Sequence, residues 1–470
     1  MKMYFIYIVL GLTICNAQNK QILYEWESPA QSLMLNPGTN VESQYHYGFP
    51  FLSQIHINAG ASGVSTFDIF GEDGRDINDK IRDKIFELDN NDFFTVNQQL
   101  ELINFGWRSK NDIYFSGGIY QELDVIAYFP KDFAILAWEG NRDYLGYEFD
   151  FSDINLQGDL FTVYHFGINK QVSNKLTMGF RLKVYSSMLS FRSKNNTGTF
   201  TTTQTDGTNN VYEHTISNLD LGVETSGYAS LRDAESNGER TSSLIGGAFF
   251  GGNVGVGIDA GVTYAVTNQL EATASILDLG AIFHRKDTEN YRASGNYTLD
   301  GIELIFPEIV DGEPTFPYYD NLEDEIEREI PIDTLTTNYS QFRPAKINAG
   351  LTYNFGRTIN RSGDCDCRNM GGKRTTVEAV GLQYYSVFRP KGAQIAGTIF
   401  YRRRFAEWLS AKATYTLDSY SAKNIGLGVS VKLGQVNFYV AADNLLDYGN
   451  IAKAKSVSLQ LGFNVIVDQE

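Results

Sequence analysis

The sequence predicts an all-β protein, a transmembrane antiparallel β-barrel of about 14 strands. Apolar and polar residues alternate along many segments, and the connections between those segments are either very short or long and polar. The composition combines 13% aromatic residues and 44 Gly with only 10 Pro. A barrel strand turns only every second residue toward lipid, so its average hydropathy stays polar. A secreted array of β-sandwiches has a similar composition and is the alternative.

The first 17 residues have the pattern of an export signal. Lys2 precedes an apolar run from Met3 to Ile14, and small residues follow at the two positions that a signal peptidase inspects. The run is too short to span a bilayer of about 30 Å. We expect a signal peptide over residues 1–17 and a mature chain that begins at Gln18. Lipidation of Cys15 is the alternative, which the bulky residue before it disfavours.

Alternation with a period of two residues continues over much of the chain. In Val457–Val467, "VSLQLGFNVIV", every second residue is apolar. Ile425–Leu433, Leu176–Val184 and Val254–Tyr264 show the same pattern. A shift of one residue would turn the charges of these segments toward lipid, so the register of each strand is strongly specified.

The connections favour a membrane barrel over a sandwich, because outer-membrane barrels have short turns at one end and long loops at the other. The short connections are 172–175, 266–269 and 433–435, and the long ones are 193–210, 286–343 and 445–455. We count about fourteen strands between Leu52 and Val467. The region 226–252 holds either one more strand or an internal segment, and an even strand count favours fourteen.

Two insertions have helical patterns. Asp76–Leu88 places isoleucines and a leucine at spacings of four, four and three, with Asp76 as the cap. Pro130–Trp138 begins with proline and ends before Gly140, which are normal start and stop signals for a helix. Covering one end of the lumen is a sufficient role for both.

The charge and the reactive residues exclude several functions. A net charge of −17 argues against nucleic acid as a partner and against simple adhesion to anionic lipid. Only Cys365 and Cys367 remain after processing, so no disulfide framework is expected, and two thiols do not make a metal site. The five His residues have no ligand spacing. We expect no metal, no cofactor and no catalytic residue. An enzyme whose catalytic residues lie far apart in sequence is the least favoured interpretation.

Several stretches resemble an uncharacterised Bacteroidota outer-membrane family within or near the long-chain fatty-acid transporter superfamily (FadL-like, PorV-like). The polar loop ending in Leu35-Asn36-Pro37 resembles the N-terminal hatch of those barrels. The other stretches are "GFPFLSQIHINAG" at Gly48–Gly60, "YFPKDFAILAWEGN" at Tyr128–Asn141, "SILDLGAIFH" at Ser275–His284 and "FYVAADNLL" at Phe438–Leu446. The chain departs from the hatch motif at Gly38, where the motif usually has alanine.

The resemblance implies a hatch over residues 18–51, with Asn36, Pro37 and Gly38 in its turn, and a barrel over residues 52–470. It also implies a multi-pass protein in the outer membrane of a Gram-negative bacterium. Independently of the resemblance, glycines occupy inward positions of two strands, which lets another backbone approach the wall. The hatch and the helix at Asp76–Leu88 are the candidates for that approach, and relief of sheet bending is the alternative. The inward glycines are Gly426 and Gly428 on one strand and Gly255, Gly257 and Gly261 on the other.

Charged residues at inward positions are the candidate lumen and ligand residues. They are Arg181, Lys183, Asp259, Glu271, Lys346 and Lys432. In a partly filled lumen such charges must pair or stay hydrated. They form a polar conduit, a site where Arg181 and Lys183 bind a carboxylate, or a structural ion-pair network that ties the hatch to the wall.

The function that we expect is a FadL-like passive channel or carrier for small hydrophobic or amphipathic molecules. The alternative is a non-transporting barrel that acts as a shuttle or accessory subunit in a protein-secretion or surface-anchoring assembly. The long connection at 286–343 motivates this alternative, because it offers a docking surface. The expected partners are therefore outer-membrane lipid, a small hydrophobic ligand, and other envelope or secretion proteins.

Overall fold

The structure, a computed structural model, describes residues 21–207, 211–299, 309–310, 313–314, 318–359, 375–418 and 420–468. In chain order the strands are β1 Ser43–Gly48, β2 Ile55–Ala61, β3 Phe93–Arg108, β4 Ile113–Tyr128, β5 Glu148–Asp150, β6 Leu156–Ser173, β7 Leu176–Ser193, β8 Thr197–Gln204, β9 Tyr212–Ser226, β10 Val254–Ala265, β11 Leu270–His284, β12 Asn290–Leu299, β13 Ile309–Val310, β14 Glu313–Pro314, β15 Ile332–Leu335, β16 Tyr339–Phe342, β17 Lys346–Ile359, β18 Thr375–Arg389, β19 Gly392–Ala406, β20 Leu409–Leu417, β21 Asn424–Leu433, β22 Val436–Asp443 and β23 Ser456–Asp468.

Fourteen strand positions close into an antiparallel barrel, which confirms the predicted fold class. Going around the wall, the neighbours are β3, β4, β6, β7, β10, β11, β17, β18, β19, β20, β21, β22 and β23, and β1 and β2 together close the ring between β23 and β3. The connections β6–β7, β10–β11 and β21–β22 are the short ones that the sequence predicts, and they lie at one end of the barrel, which we call the short-turn end.

The first wall position is interrupted in its middle. Gly48 pairs with Asn464 and Ile55 pairs with Leu461, so six residues of the first strand stand opposite two residues of β23. Since β1 pairs with both β23 and β3, residues 43–48 belong to the wall. The segment that lies inside the barrel is therefore 21–42 within the described chain, shorter than the hatch of 18–51 expected from the sequence.

The two faces of the wall have opposite character, as the alternation predicts. On β7, Met178, Phe180 and Leu182 are exposed on the outside, whereas Arg181 and Lys183 between them are buried in the lumen. The same division continues on β10, where Val256 and Ile258 are exposed and Asp259 is buried. An apolar outer belt and a polar lumen follow from one period-two pattern.

The structure has six α-helices in the described ranges, all in connections between strands. They are α1 Thr66–Phe70, α2 Ile77–Glu87, α3 Lys131–Glu139, α4 Tyr228–Arg232, α5 Asn237–Ala248 and α6 Tyr318–Glu329. Both predicted helices are confirmed: the Asp76 side chain caps α2, and α3 begins after Pro130 and ends at Gly140. Helix α2 packs on α3 through Ile85 and Ile135 outside the lumen, so it is not the element that approaches the glycine-rich wall.

The uncertain region 226–252 forms α4 and α5, so it is neither an extra strand nor an internal segment. Ser236 caps α5 by accepting a hydrogen bond from Glu239 N at 3.2 Å. The insertion folds back onto the outer face of the wall, where Tyr164 Oη donates to the Ala248 carbonyl at 3.0 Å. Beyond the barrel rim, the sheet continues through β9 into β5, β8, β12 and β15. Among the described residues, no helix is long and apolar enough to cross a membrane.

Candidate functional site

The segment 21–42, which we call the hatch, lies in the lumen at the short-turn end of the barrel. It contains a short 3₁₀ helix, Ala30–Met34. Ile22, Leu23 and Trp26 are completely buried and cluster with Leu35 of the hatch and with Tyr439 of the wall. The hatch therefore presents apolar side chains to the barrel wall, where a polar loop would present hydrated ones.

Glycines let the hatch approach the wall closely. A Cβ atom at Gly428 would lie 2.6 Å from the Trp26 ring, and one at Gly179 or Gly261 would overlap Pro37 or Asn36. The expected approach of a second backbone occurs at Gly261, where Gly38 N of the hatch would lie 2.9 Å from a Cβ atom. Gly428 instead leaves room for hatch side chains, and Gly426 is bordered mainly by the wall side chains of Thr414 and Asp443. At Gly255 the nearest atoms belong to Ala281 and Ile282 of the neighbouring strand β11, and at Gly257 they belong to the Tyr185 side chain, so both spaces are filled by the wall itself.

The turn Asn36-Pro37-Gly38 is fixed by its own side chain and by the wall. Asn36 Oδ1 accepts a hydrogen bond from Gly38 N at 2.9 Å, and Asn169 Nδ2 donates to the Pro37 carbonyl at 2.7 Å. A Cβ atom at Gly38 would overlap the Gly261 carbonyl. This contact gives a physical reason for glycine at the position where the hatch motif usually has alanine.

Buried ion pairs fill the lumen beside the hatch. Asp259 bonds Arg181 Nε at 2.7 Å and lies 2.9 Å from Lys183 Nζ. Asp278 in turn bonds Lys183 at 2.6 Å and Lys346 at 2.9 Å. Four of the predicted site residues, Arg181, Lys183, Asp259 and Lys346, are thus brought together.

The same network extends toward the long-connection end of the barrel. Arg343 lies 3.4 Å from Glu122 and 3.3 Å from Asp159, and Arg389 binds Asp124 through two hydrogen bonds of 2.8 and 2.9 Å. The ten members are Arg181, Lys183, Arg343, Lys346, Arg389, Glu122, Asp124, Asp159, Asp259 and Asp278. With five cations and five anions, the network is formally neutral. Arg181 and Lys183, the two residues considered for binding a ligand carboxylate, already pair with Asp259 and Asp278.

Sequence reasoning missed six members of this network, and three different explanations apply to four of them. Glu122 and Asp124 alternate in phase with the buried Tyr120 and Ile126 of β4, so the pattern contained a signal for them. Asp278 lies at a register shift of β11 and has a positive φ of 60°, which breaks the alternation at that residue. Arg343 lies between two strands, where alternation carries no information.

One cation links the network to the hatch. Arg181 Nη2 donates to the Met34 carbonyl at 2.7 Å, and Arg181 Nη1 lies 3.2 Å from Met34 Sδ. A guanidinium has five donors, so Arg181 can bind Asp259 and the hatch at the same time. The position of the hatch and the arrangement of the ion pairs are therefore coupled at this residue.

A second anchor holds the start of the hatch. The Glu25 carboxylate accepts hydrogen bonds from Thr273 at 2.8 Å and from Gln383 at 3.4 Å, and Arg402 Nη1 donates to the Glu25 carbonyl at 2.9 Å. Lys412 donates to the neighbouring Tyr24 carbonyl. Burial raises the pKa of Glu25, because removal from water disfavours the ionised carboxyl.

Gln31 seals the interruption in the first wall position. Its Nε2 lies 3.0 Å from the Ser53 carbonyl, 3.0 Å from Glu101 Oε2 and 2.9 Å from Asn464 Oδ1, and its two N–H groups are shared among these three acceptors. Asn464 Nδ2 donates back to Gln31 Oε1 at 3.0 Å. Gln31 of the hatch thus connects β3 and β23 with the residues that lie between β1 and β2.

The remaining predicted residues lie apart from the network, near the short-turn end. Glu271 accepts a hydrogen bond from Asn40 of the hatch at 3.2 Å, and Lys432 pairs with Asp468 at 2.6 Å. Lys432 also lines a cavity of about 100 Å³ between the hatch and the wall. Other lining residues are Glu27, Ser32, Arg404 and Trp408. This cavity lies beside the hatch at the short-turn end of the barrel.

No group of three or more His, Cys, Asp or Glu side chains in the described ranges is arranged to hold a metal ion. Cys365 and Cys367 lie outside the described residues, as does the expected signal peptide.

Comparisons with known proteins give one family and several distant folds. The toluene transporter TbuX of Ralstonia pickettii is 12% identical, with 93% of this chain and 94% of that chain covered and a TM-score of 0.40. The toluene transporter TodX of Pseudomonas putida is 10% identical over 95% and 94%, with a TM-score of 0.37. A Pseudomonas aeruginosa FadL homologue is 7% identical over 97% and 100%, with a TM-score of 0.43.

No curated protein matches the chain. The model of a family of unknown function, DUF5723, matches residues 37–443, which cover most of the chain from the hatch turn to the end of β22. The chain therefore belongs to the DUF5723 family.

Proposed function

We propose that this protein is an outer-membrane barrel that acts as a passive channel or carrier for small hydrophobic or amphipathic molecules. One observation carries the proposal: the hatch occupies the lumen, is joined to the wall through the chain at Ser43, and is otherwise held there by non-covalent contacts in the described residues. A barrel with only a structural role has no need of a segment in its lumen that can move away from the wall. The hatch is accordingly the element that moves during passage.

The outer surface supports a membrane location. The exposed apolar belt of β7 and β10 includes Leu182, which is 54% exposed, and Val256, which is 58% exposed. In water, such a continuous apolar belt would promote aggregation. In a bilayer, an apolar outer face is the favoured surface of a barrel strand. The expected bacterial outer membrane is the membrane in which such barrels occur.

The chemistry of the hatch suggests the class of cargo. Ile22, Leu23 and Trp26 bury their side chains against the wall. Movement of the hatch would expose this apolar surface, and a hydrophobic molecule that binds there would favour the moved state over the seated one. The polar lining of the nearby cavity, including Ser32 and Lys432, would accept the polar end of an amphipathic cargo.

Deletion of residues 18–38 behind an intact signal tests the proposal. Liposomes that contain the variant should leak small solutes measurably faster than liposomes that contain the wild type. The matched control is the double variant Gly246→Ser and Gly449→Ser, which alters two positions that have open space around them and no positive φ. Unchanged permeability of the deletion variant would mean that something other than the hatch seals the lumen, and would overturn the proposal.

A second candidate, an accessory barrel of a secretion or surface-anchoring assembly, is favoured by the sheet beyond the rim. Its outermost strand β15 pairs on one side with β12, and Ile332 is 72% exposed. An exposed strand of this kind can add a strand from a partner. Affinity purification from native membranes separates the two candidates: a stoichiometric protein partner supports the accessory role, and a preparation that contains only lipid supports the channel.

A further inference from the structure

The insertion 227–253 between β9 and β10 lies on the outside of the barrel wall. Ser186 shares the outward face of β7 with Leu182, yet it is buried because the insertion covers it. Its hydroxyl donates to the Gly247 carbonyl at 2.7 Å and accepts from Phe250 N at 2.8 Å. The Phe250 ring stacks on Tyr164, with 4.6 Å between the ring centroids.

The apolar residues at the end of α5 point away from the protein. Ile245 is 55% exposed and Phe249 is 65% exposed. Phe250 has a positive φ of 59°, a strained conformation for a bulky residue. These residues continue the exposed belt of Leu182 and Val256 and lie on the same outer surface of the barrel.

A groove separates the insertion from the wall and has a volume of about 230 Å³. Met188 and Leu244 provide apolar lining, and Ser187, Ser243 and Asn253 provide polar lining. Lys286 and Asp287 are the charged residues of the groove. The Asp287 carboxylate accepts hydrogen bonds from Ser230 N at 3.3 Å, whereas Lys286 is exposed and forms no salt bridge with another described residue. The groove thus combines an apolar wall with a cation that lacks a carboxylate partner in the described chain.

We propose that the insertion 227–253 is a lipid clamp. Ile245 and Phe249 enter the adjoining leaflet, Phe250 holds the insertion against Tyr164, and the groove binds one membrane lipid that has a phosphate head group. Met188 and Leu244 contact the acyl chain of this lipid, and Lys286 binds its phosphate. The inference rests on the membrane location given under the proposed function, but not on transport.

Two arguments favour a lipid over other occupants. The groove opens on the surface that carries the apolar belt, so lipid is the molecule present at the highest local concentration. Arg285 stacks over the Phe283 ring at 5.7 Å on the next strand, which adds a second cation near the groove. Cations beside an apolar surface are the usual recognition chemistry for anionic lipids at the membrane interface.

Spin labels test whether the insertion enters the membrane. The mature chain carries Cys365→Ser and Cys367→Ser, and single labels are attached after Phe249→Cys, Glu239→Cys or Leu182→Cys. In phosphatidylglycerol-containing vesicles, the labels at 249 and 182 should be relaxed mainly by oxygen and the label at 239 mainly by a water-soluble nickel chelate. A label at 249 that behaves like the one at 239 would overturn the clamp. Water exposure at 182 would instead contradict the membrane location.

Native mass spectrometry of the full barrel in detergent tests the groove. Added phosphatidylglycerol should remain bound to the wild type, and Lys286→Ala should reduce this retention at least fivefold. Lys110→Ala, in the β3–β4 turn at the other end, is the matched control and should leave retention unchanged. Equal retention in Lys286→Ala, equal retention of uncharged diacylglycerol, or displacement by inorganic phosphate alone would each overturn the lipid site.

Discussion

At the scale of single residues, Arg181 is the connection between the charges of the lumen and the hatch. It bonds Asp259 and the Met34 carbonyl, and it is almost completely buried. Buried ion pairs contribute little net stability while intact, but removal of one partner leaves an uncompensated charge. Arg181 therefore stabilises the barrel by compensating the buried charge of Asp259 and by donating a hydrogen bond to the Met34 carbonyl.

Substitution of Arg181 should destabilise the barrel strongly. Arg181→Met leaves Asp259 with one cation and the Met34 carbonyl without its donor, and we expect a loss of about 3–5 kcal/mol in the free energy of unfolding. Lys432→Met is the matched control, because its pair with Asp468 is partly exposed and should contribute only about 0–1 kcal/mol. Urea unfolding of both variants in detergent micelles measures the difference. Equal losses would contradict the distinct role of Arg181.

Prediction from sequence at this scale depended on the regularity of the strand. Arg181 and Lys183 were found because β7 alternates without interruption through that part of the wall. Asp278 escaped because a register shift in β11 turns its side chain out of phase. A bulge changes which residues face inward, and no simple period in the sequence contains that change.

At the scale of elements, the helices of the long connections were predicted where their end signals are local. The Asp76 cap and the Pro130 start act within one turn of the helix, so the sequence contains them completely. Helix α5 has a local start signal, the Ser236 cap, but Gly246 and Gly247 weaken its second half, which packs against the wall at Met188. Tertiary packing outweighs low intrinsic propensity in this segment.

A larger side chain at Gly247 should detach α5 from the wall. A Cβ atom there would lie 2.9 Å from Met188 Cα, so Gly247→Val cannot keep the observed packing. We expect the insertion to be cut by protease at least tenfold faster, while the barrel itself stays resistant. Gly246→Val has open space around the new Cβ atom and is the control. Similar cleavage rates for the two variants would show that α5 is not held by this contact.

At the scale of the whole molecule, the ring of paired strands is complete without a strand from the hatch. The fourteen strand positions pair with each other around the ring, and β1 and β2 both pair with β23 and β3. The sequence predicts the fold class, because apolar and polar residues alternate with a period of two. It also predicts which end of the barrel has short turns, because the lengths of the connections can be read directly. The interruption between β1 and β2 could not be predicted from the sequence. The residues around it alternate poorly, and Gln31, which seals it, is distant in the chain.

The variant that lacks residues 18–38 should consequently still assemble. Every strand that faces lipid remains, and water in the opened lumen can solvate the side chains that bound the hatch. A folded barrel keeps its compact migration on a detergent gel until it is boiled, and the variant should show this shift as the wild type does. Absence of the shift would mean that the segment is a structural part of the wall.

The close contacts between the hatch and the wall also restrict which residues homologous proteins can have at the contact positions. Gly179, Gly261 and Gly428 lie on three different strands, yet one segment accounts for the small size of all three. A homologue that has lost this segment is released from the restriction at every one of these positions at once. Aligned DUF5723 sequences should therefore show larger residues there whenever the N-terminal region is shortened, so that the presence of a plug can be recognised by covariation alone.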